Sequence, residues 1–176
     1  MTLPRKQVSP ASARLPTVGF SAYRHAMEQV RWQFFGHLTF KHESEPEGRR
    51  LARFTAVLRA VIRRRRAYFP DLLWCLRQEY GDLGKRVHFH FLLAGLPPCE
   101  ISAAACRQFE TKWKRKGGGT AVVEVFDPAL GGVAYALKIS AQDARSREGR
   151  ESAKFGPGDC ELMLSDGLRR FLGIRR

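Results

Sequence analysis

The chain reads as an α+β fold of ferredoxin-like (split βαβ) type: an antiparallel sheet with helices on one face and the other face open for chemistry. Three observations predict it. Segments of strand and helix character follow one another as strand, helix, strand, strand, helix, strand. The second and third strands are joined by a short loop with two glycines, Gly81–Arg86, as an antiparallel hairpin requires. Four polar residues of that hairpin, Arg77, Glu79, His88 and His90, share one face by parity, so that face is withheld from the core.

Each element has its own justification. Residues up to about Gly19 are rich in proline and serine and read as loose, and Ala22–Trp32 as a short helix; together 1–30 form a partly flexible extension. Phe34–Phe40 is the first strand, and the acidic segment Glu43–Gly48 a loop. Arg50–Ala67 carries Leu51, Phe54, Val57, Leu58, Val61 and Ile62 at helical spacing, which makes an amphipathic helix. The hairpin strands are Leu72–Tyr80 and Val87–Leu93. Pro97-Pro98 breaks the chain, and Glu100–Lys116 is a second helix with Ile101, Ala105, Phe109 and Trp113 inward, ended by Gly117-Gly118-Gly119. Thr120–Phe126 is the fourth strand. Asp127 suits an N-cap and Pro128 a first helical residue, opening a helix that runs to Ile139. On it Leu130, Val133, Ala134 and Leu137 cluster on one side, with Tyr135 and Lys138 on roughly the other. Residues 31–140 thus form the globular unit. The basic tail 141–176 follows, polar over Ala141–Pro157, with Cys160–Leu172 apolar enough to dock as a short strand or helix.

Composition narrows the partners. The 176 residues suit one domain with a normal core. Lys and Arg number 31 against 17 Asp and Glu, a formal charge of +14, which points to a polyanion and to nucleic acid before an anionic membrane. No stretch is apolar enough to span a membrane, and the N-terminus lacks the apolar centre of a signal peptide, so a cytoplasmic protein is expected. Cys75, Cys99, Cys106 and Cys160 form no Cys-x-x-Cys pair and read as reduced thiols.

The hairpin carries the chemistry. Two imidazoles on one face of an otherwise apolar strand are poorly explained by packing and well explained by a metal ion. Pairing Tyr80 with Val87 sets Trp74 against Leu93 and Leu76 against Phe91 on the core side. The same register puts Glu79 opposite His88 and Arg77 opposite His90. Opposed Cβ atoms lie about 5 Å apart, so a carboxylate sits beside both imidazoles. A slip by one residue would bury Glu79 in the core, at the cost of an unpaired charge. Glu79 is the favoured third ligand. A glutamate in water or paired with Arg77 is the plainer alternative. Two imidazoles and a carboxylate by coordination preference point to Zn²⁺ or Fe²⁺.

Phe35-Gly36-His37-Leu38-Thr39-Phe40, His88-Phe89-His90 and Tyr135-Ala136-Leu137-Lys138 resemble, in order and approximate spacing, the three motifs of the HUH endonucleases. The likeness is greatest to single-tyrosine rolling-circle replication initiators of plasmids and phages, and spans about residues 34 to 140. It implies that His88, His90 and Glu79 hold a divalent metal, Mg²⁺ or Mn²⁺, and that Tyr135 cuts single-stranded DNA with Lys138 assisting. It further implies a 5′-phosphotyrosine intermediate, a single-stranded or origin-hairpin substrate, and a host helicase as a further partner. His37 stands where that family commonly has threonine. It shares the parity of Thr39, and its role stays open between DNA and metal.

The basic clusters fit a nucleic-acid partner. Arg63-Arg64-Arg65-Arg66 closes the first long helix, and Lys112, Lys114, Arg115 and Lys116 close the second. Cations there also complement helix dipoles, but there are more than that needs, so phosphate contact is expected. His37, Thr39 and Arg77 are the candidate DNA contacts on the sheet. Three readings compete: a rolling-circle initiator, a single-tyrosine transposase of the same chemistry, and a non-catalytic single-strand-binding module. A transposase usually draws a third ligand from the tyrosine helix, and a ferredoxin-like binding sheet would present stacked aromatics rather than His88, His90, Glu79 and Arg77. The initiator is therefore favoured. No phosphate-binding Gly-x-x-x-x-Gly-Lys-Ser/Thr occurs, so no fused helicase is encoded in this sequence.

Overall fold

The sheet is antiparallel throughout, five strands in the order β4-β1-β3-β2-β5. In this computed structural model residues 25–42, 45–62, 69–80, 87–137 and 161–174 are described. The strands are β1 (Phe34–Phe40), β2 (Leu73–Tyr80), β3 (Val87–Ala94), β4 (Gly118–Val125) and β5 (Glu161–Leu164). The helices are α1 (Glu47–Ile62), α2 (Ala103–Arg115), α3 (Gly132–Leu137) and α4 (Asp166–Phe171). The first four strands have the order and direction of a split βαβ unit, and β5 adds to the free edge of β2.

Parity decides which residues meet the helices. On the first face Phe34, Leu38, Phe40, Trp74, Leu76, Val87, Phe89, Phe91, Leu93, Ala121 and Val123 pack with α1 and α2. α1 buries Leu51, Phe54, Val57, Leu58, Val61 and Ile62, the apolar stripe read from its spacing. Its Phe54 ring meets those of Trp74, Phe89, Phe91 and Phe109. α2 is capped by Ser102, whose side chain accepts from the Ala105 N–H, and seats Trp113 with its indole N–H on the Thr39 carbonyl. Gly36 lies opposite Phe91 on this face. A Cβ there would stand 2.0 Å from the Phe91 ring, so only glycine lets that ring lie over β1.

The second face is open only in part. Cys75, Leu92, Ala94, Leu162 and Leu164 continue the parity of the histidines towards the other end of the strands. They form a second, smaller core with Met27, Val30 and Trp32 from the N-terminal segment, Val133 and Ala136 of α3, and Leu168 of α4. These apolar residues must be covered, and the segments flanking the four-strand unit cover them. Among the described residues, this cover lies over the part of the face away from Glu79, His88, His90 and His37.

Several boundaries differ from those read in the sequence. Gly118 and Gly119 begin β4, and Gly117, at φ 83°, alone ends α2. A Cβ on Gly118 would strike the Trp113 ring and one on Gly119 the Thr39 hydroxyl, so both glycines serve close packing inside the sheet. The helix expected from Pro128 is divided. Asp127 caps a single 3-10 turn, Pro128–Leu130, and Gly131 at φ 64° breaks it before α3 starts. Leu130, placed by helical spacing on the apolar side, is 76% exposed as a result. Cys160–Leu172 contributes both a strand and a helix, β5 and α4. Cys75, Cys99 and Cys106 are free thiols; Cys160 lies outside the described residues. No described helix is long and apolar enough to cross a membrane.

Candidate metal centre

The hairpin register is the one derived from parity and charge. Tyr80 pairs with Val87, Glu79 with His88, Arg77 with His90, Leu76 with Phe91 and Trp74 with Leu93. On the other side of β3, His37 pairs with His90 and Thr39 with His88. Three adjacent strands thus bring His37, His88, His90, Glu79 and Arg77 to one patch of one face.

The imidazoles form a compact group. Ring centroids are 4.8 Å apart for His37 and His90, 4.9 Å for His37 and His88, and 5.0 Å for His88 and His90. The His37 and His90 planes are nearly parallel, at 14°, while His88 stands edge-on to both. One ligand nitrogen from each lies within 4.8 Å of the others. Two donors on one ion stand at most about 4.2 Å apart when bonds are about 2.1 Å, so small side-chain rotations suffice and the residues fit a shared cation. Phe35, of the same parity on β1, lays its ring along His90 at 6.2 Å.

Glu79 joins the group from β2. Its Oε2 is 3.4 Å from His88 Nε2 and 3.6 Å from His90 Nε2. Its Oε1 faces the guanidinium of Arg77, with Nε at 2.8 Å. Both side chains are buried, at 9% and 5% exposure, so this is an interior ion pair rather than a surface one. Burial lowers the His37 pKa to about 4; His90 and His88 push the same way, against an opposing pull from Glu79. His37 is accordingly a neutral imidazole at neutral pH, the form that ligates metals.

The other candidates divide sharply. Arg77 was read as a DNA contact, but it is 8% exposed, with Leu162 of β5 as its partner across the β2 edge. Its guanidinium is ion-paired with Glu79. The Thr39 hydroxyl accepts from the Thr120 N–H at 2.7 Å and approaches the Thr120 carbonyl at 3.3 Å, fastening β1 to β4. Lys114, Arg115 and Lys116 are exposed at the end of α2 and Lys112 is half-buried. They belong to the helical layer, at the same end of the sheet as His88 but around its edge. Arg63, Arg64, Arg65, Arg66 and Lys138 lie outside the described residues. Tyr135 is on α3, whose Val133 and Ala136 are buried with Leu92 and Cys75 on the histidine face. Leu92 is two residues beyond His90 on β3, so the tyrosine helix sits over the next inward-facing position along that strand. Sequence reasoning overlooked Phe35 and β5 as walls of the site; the shared parity of Phe35, His37 and Thr39 was the available signal for the first.

No family model matches the chain, and no curated protein matches it. Among solved structures, the chain is similar to the N-terminal nuclease domain of non-structural protein-1 from minute virus of mice. The two are 13% identical with a TM-score of 0.41, over 84% of this chain and 71% of that one. That structure is described as having a Zn²⁺ site in its active-site pocket and as recognising DNA at the origin of replication.

Proposed function

We propose that this chain is a metal-dependent nuclease that nicks and rejoins single-stranded DNA through a 5′-phosphotyrosine on Tyr135, as a rolling-circle initiator does. The observation that carries the reading is the shared face: three imidazoles and a carboxylate at one end of it, and the helix bearing Tyr135 packed beside them. A cation held by His88, His90, Glu79 and His37 would neutralise phosphoryl oxygens as a Lewis acid. The residues do the rest. Tyr135 Oη attacks phosphorus, the bond to the 3′ oxygen breaks, and that oxygen leaves to become the free 3′-hydroxyl. Attack by the same hydroxyl reverses the step and rejoins the strand. Lys138, three residues after Tyr135 in the sequence, favours the phenolate and the charge on the phosphate. The exposed lysines and arginine that end α2 supply phosphate contacts, and the run Arg63–Arg66 adds further positive charge in the sequence. Among the described residues of the tyrosine helix, Gly132–Leu137, there is no His, Asp or Glu, which supports the initiator over a transposase that takes a ligand from that helix.

Incubation with a single-stranded oligonucleotide library and a divalent ion, followed by a denaturing gel, tests the reading. Wild type yields a covalent adduct. Tyr135→Phe binds the same DNA and yields none, while His88→Ala and His90→Ala stay folded and lose cleavage. An adduct on Tyr135→Phe, or full cleavage by either histidine variant, refutes the assignment.

A further inference from the structure

We infer that His37 completes a three-imidazole centre, and that this centre selects Zn²⁺ or a similar borderline transition ion over Mg²⁺. The inference rests on the metal site of the proposed nuclease and departs from the ion that the HUH resemblance implies.

Position and donor chemistry carry it. His37 is paired with His90 across β1 and β3, and its ligand nitrogen lies within 4.8 Å of those of both His88 and His90. A threonine at this position would offer a neutral oxygen; histidine changes the donor set from two nitrogens to three. Mg²⁺ prefers six oxygens in near-octahedral array and sheds water reluctantly. Imidazole nitrogen suits Zn²⁺, Fe²⁺, Ni²⁺ and Cu²⁺. Glu79 is the carboxylate beside these rings, and its Oε1 is paired with the Arg77 guanidinium. That pairing moderates the one anionic oxygen donor that would favour a hard ion. Three neutral nitrogens with a single charge-compensated carboxylate form a centre for a borderline ion.

Chelator-stripped full-length chain, titrated with Zn²⁺, Co²⁺, Mn²⁺ and Mg²⁺ by calorimetry without DNA, is the test, with the visible bands of bound Co²⁺ as a second readout. Wild type binds Zn²⁺ at least about a hundredfold tighter than Mg²⁺. His37→Thr lowers Zn²⁺ affinity by roughly tenfold or more and changes the Co²⁺ spectrum. Equal affinity for Mg²⁺ and Zn²⁺, or wild-type Zn²⁺ affinity in His37→Thr, overturns the inference. Should His37→Thr fail to fold, the ring-nitrogen resonances of His37 in the wild-type chain decide: they move on adding Zn²⁺ if it is a ligand, and hold still if it is not. Binding and nicking fail separately. A chain that binds Zn²⁺ through His37 and forms no DNA adduct upholds this centre and refutes the nuclease. A chain that nicks with Mg²⁺ equally well with and without His37 does the opposite.

Discussion

Replacing Arg77 by methionine separates two roles for that residue, a DNA contact and the partner of Glu79. Methionine keeps much of the side-chain length and removes the charge. Glu79, 5% exposed, then loses the guanidinium 2.8 Å from its Oε1. Breaking a buried ion pair from one side costs about 3–5 kcal/mol. The low end applies here, because the other oxygen of Glu79 keeps His88 and His90 at 3.4 and 3.6 Å as neighbours. For a domain of this size, about 3 kcal/mol corresponds to a melting-temperature loss of about 6–12 °C. Thermal and urea unfolding of Arg77→Met, Glu79→Gln and the double variant, all metal-free, measure it. The double variant should recover most of the loss, giving a coupling of about 2 kcal/mol or more between the two sites. If Arg77→Met kept wild-type stability and instead weakened single-strand binding, the interior pair would be the wrong description and the DNA contact the right one.

Two further outcomes follow from the packing. Gly36→Ala places a methyl 2.0 Å from the Phe91 ring and should cost about 1–3 kcal/mol in urea unfolding; combining it with Phe91→Leu should return part of that, and strictly additive losses would refute the contact. Burial drives the Cys75 thiol up to about 12, so on the order of one thiol in ten thousand is ionised at pH 8. Iodoacetamide on the native protein, followed by peptide mapping, should label exposed Cys99 and leave Cys75 untouched; rapid labelling of Cys75 would contradict the second core.

The part of the site that sequence made legible is the part governed by parity. A strand has only two faces, so placing Glu79 away from the core fixed the hairpin register, and with it the neighbours of His88 and His90. His37 was left between two roles because the partner of β1 cannot be read locally: β3 is fifty residues further on, and only the sheet order puts His37 beside His90. Arg77 meets the same limit. Parity placed it on the metal face correctly, but its burial depends on β5, four residues drawn from the far end of the chain. The glycines misled where they serve packing rather than turning. Gly118 and Gly119 look like a helix terminator until Trp113 and Thr39 are seen to occupy the space a side chain would need.

The attachment of β5 also bears on the order in which the site is assembled and the way it comes apart. Leu164 pairs with Cys75 and Glu161 with Gln78, across more than eighty intervening residues, whereas β2 and β3 are joined by a short loop. Ser165 concentrates the anchorage: its hydroxyl donates to the Leu72 carbonyl and accepts from the amides of Trp74 and Leu168. Local pairings form before distant ones because a long loop must lose its entropy before any contact rewards it. The β2–β3 hairpin therefore brings Glu79, His88 and His90 together early, and β5 shuts the strand edge beside Arg77 late. On the native side the same asymmetry predicts that β5 and α4 detach together while the four-strand unit stays intact. Hydrogen exchange would register this as amides of β5 and of the β2 edge exchanging together, sooner than those of β3. Such detachment would open the strand edge beside Arg77, on the carboxylate side of the centre.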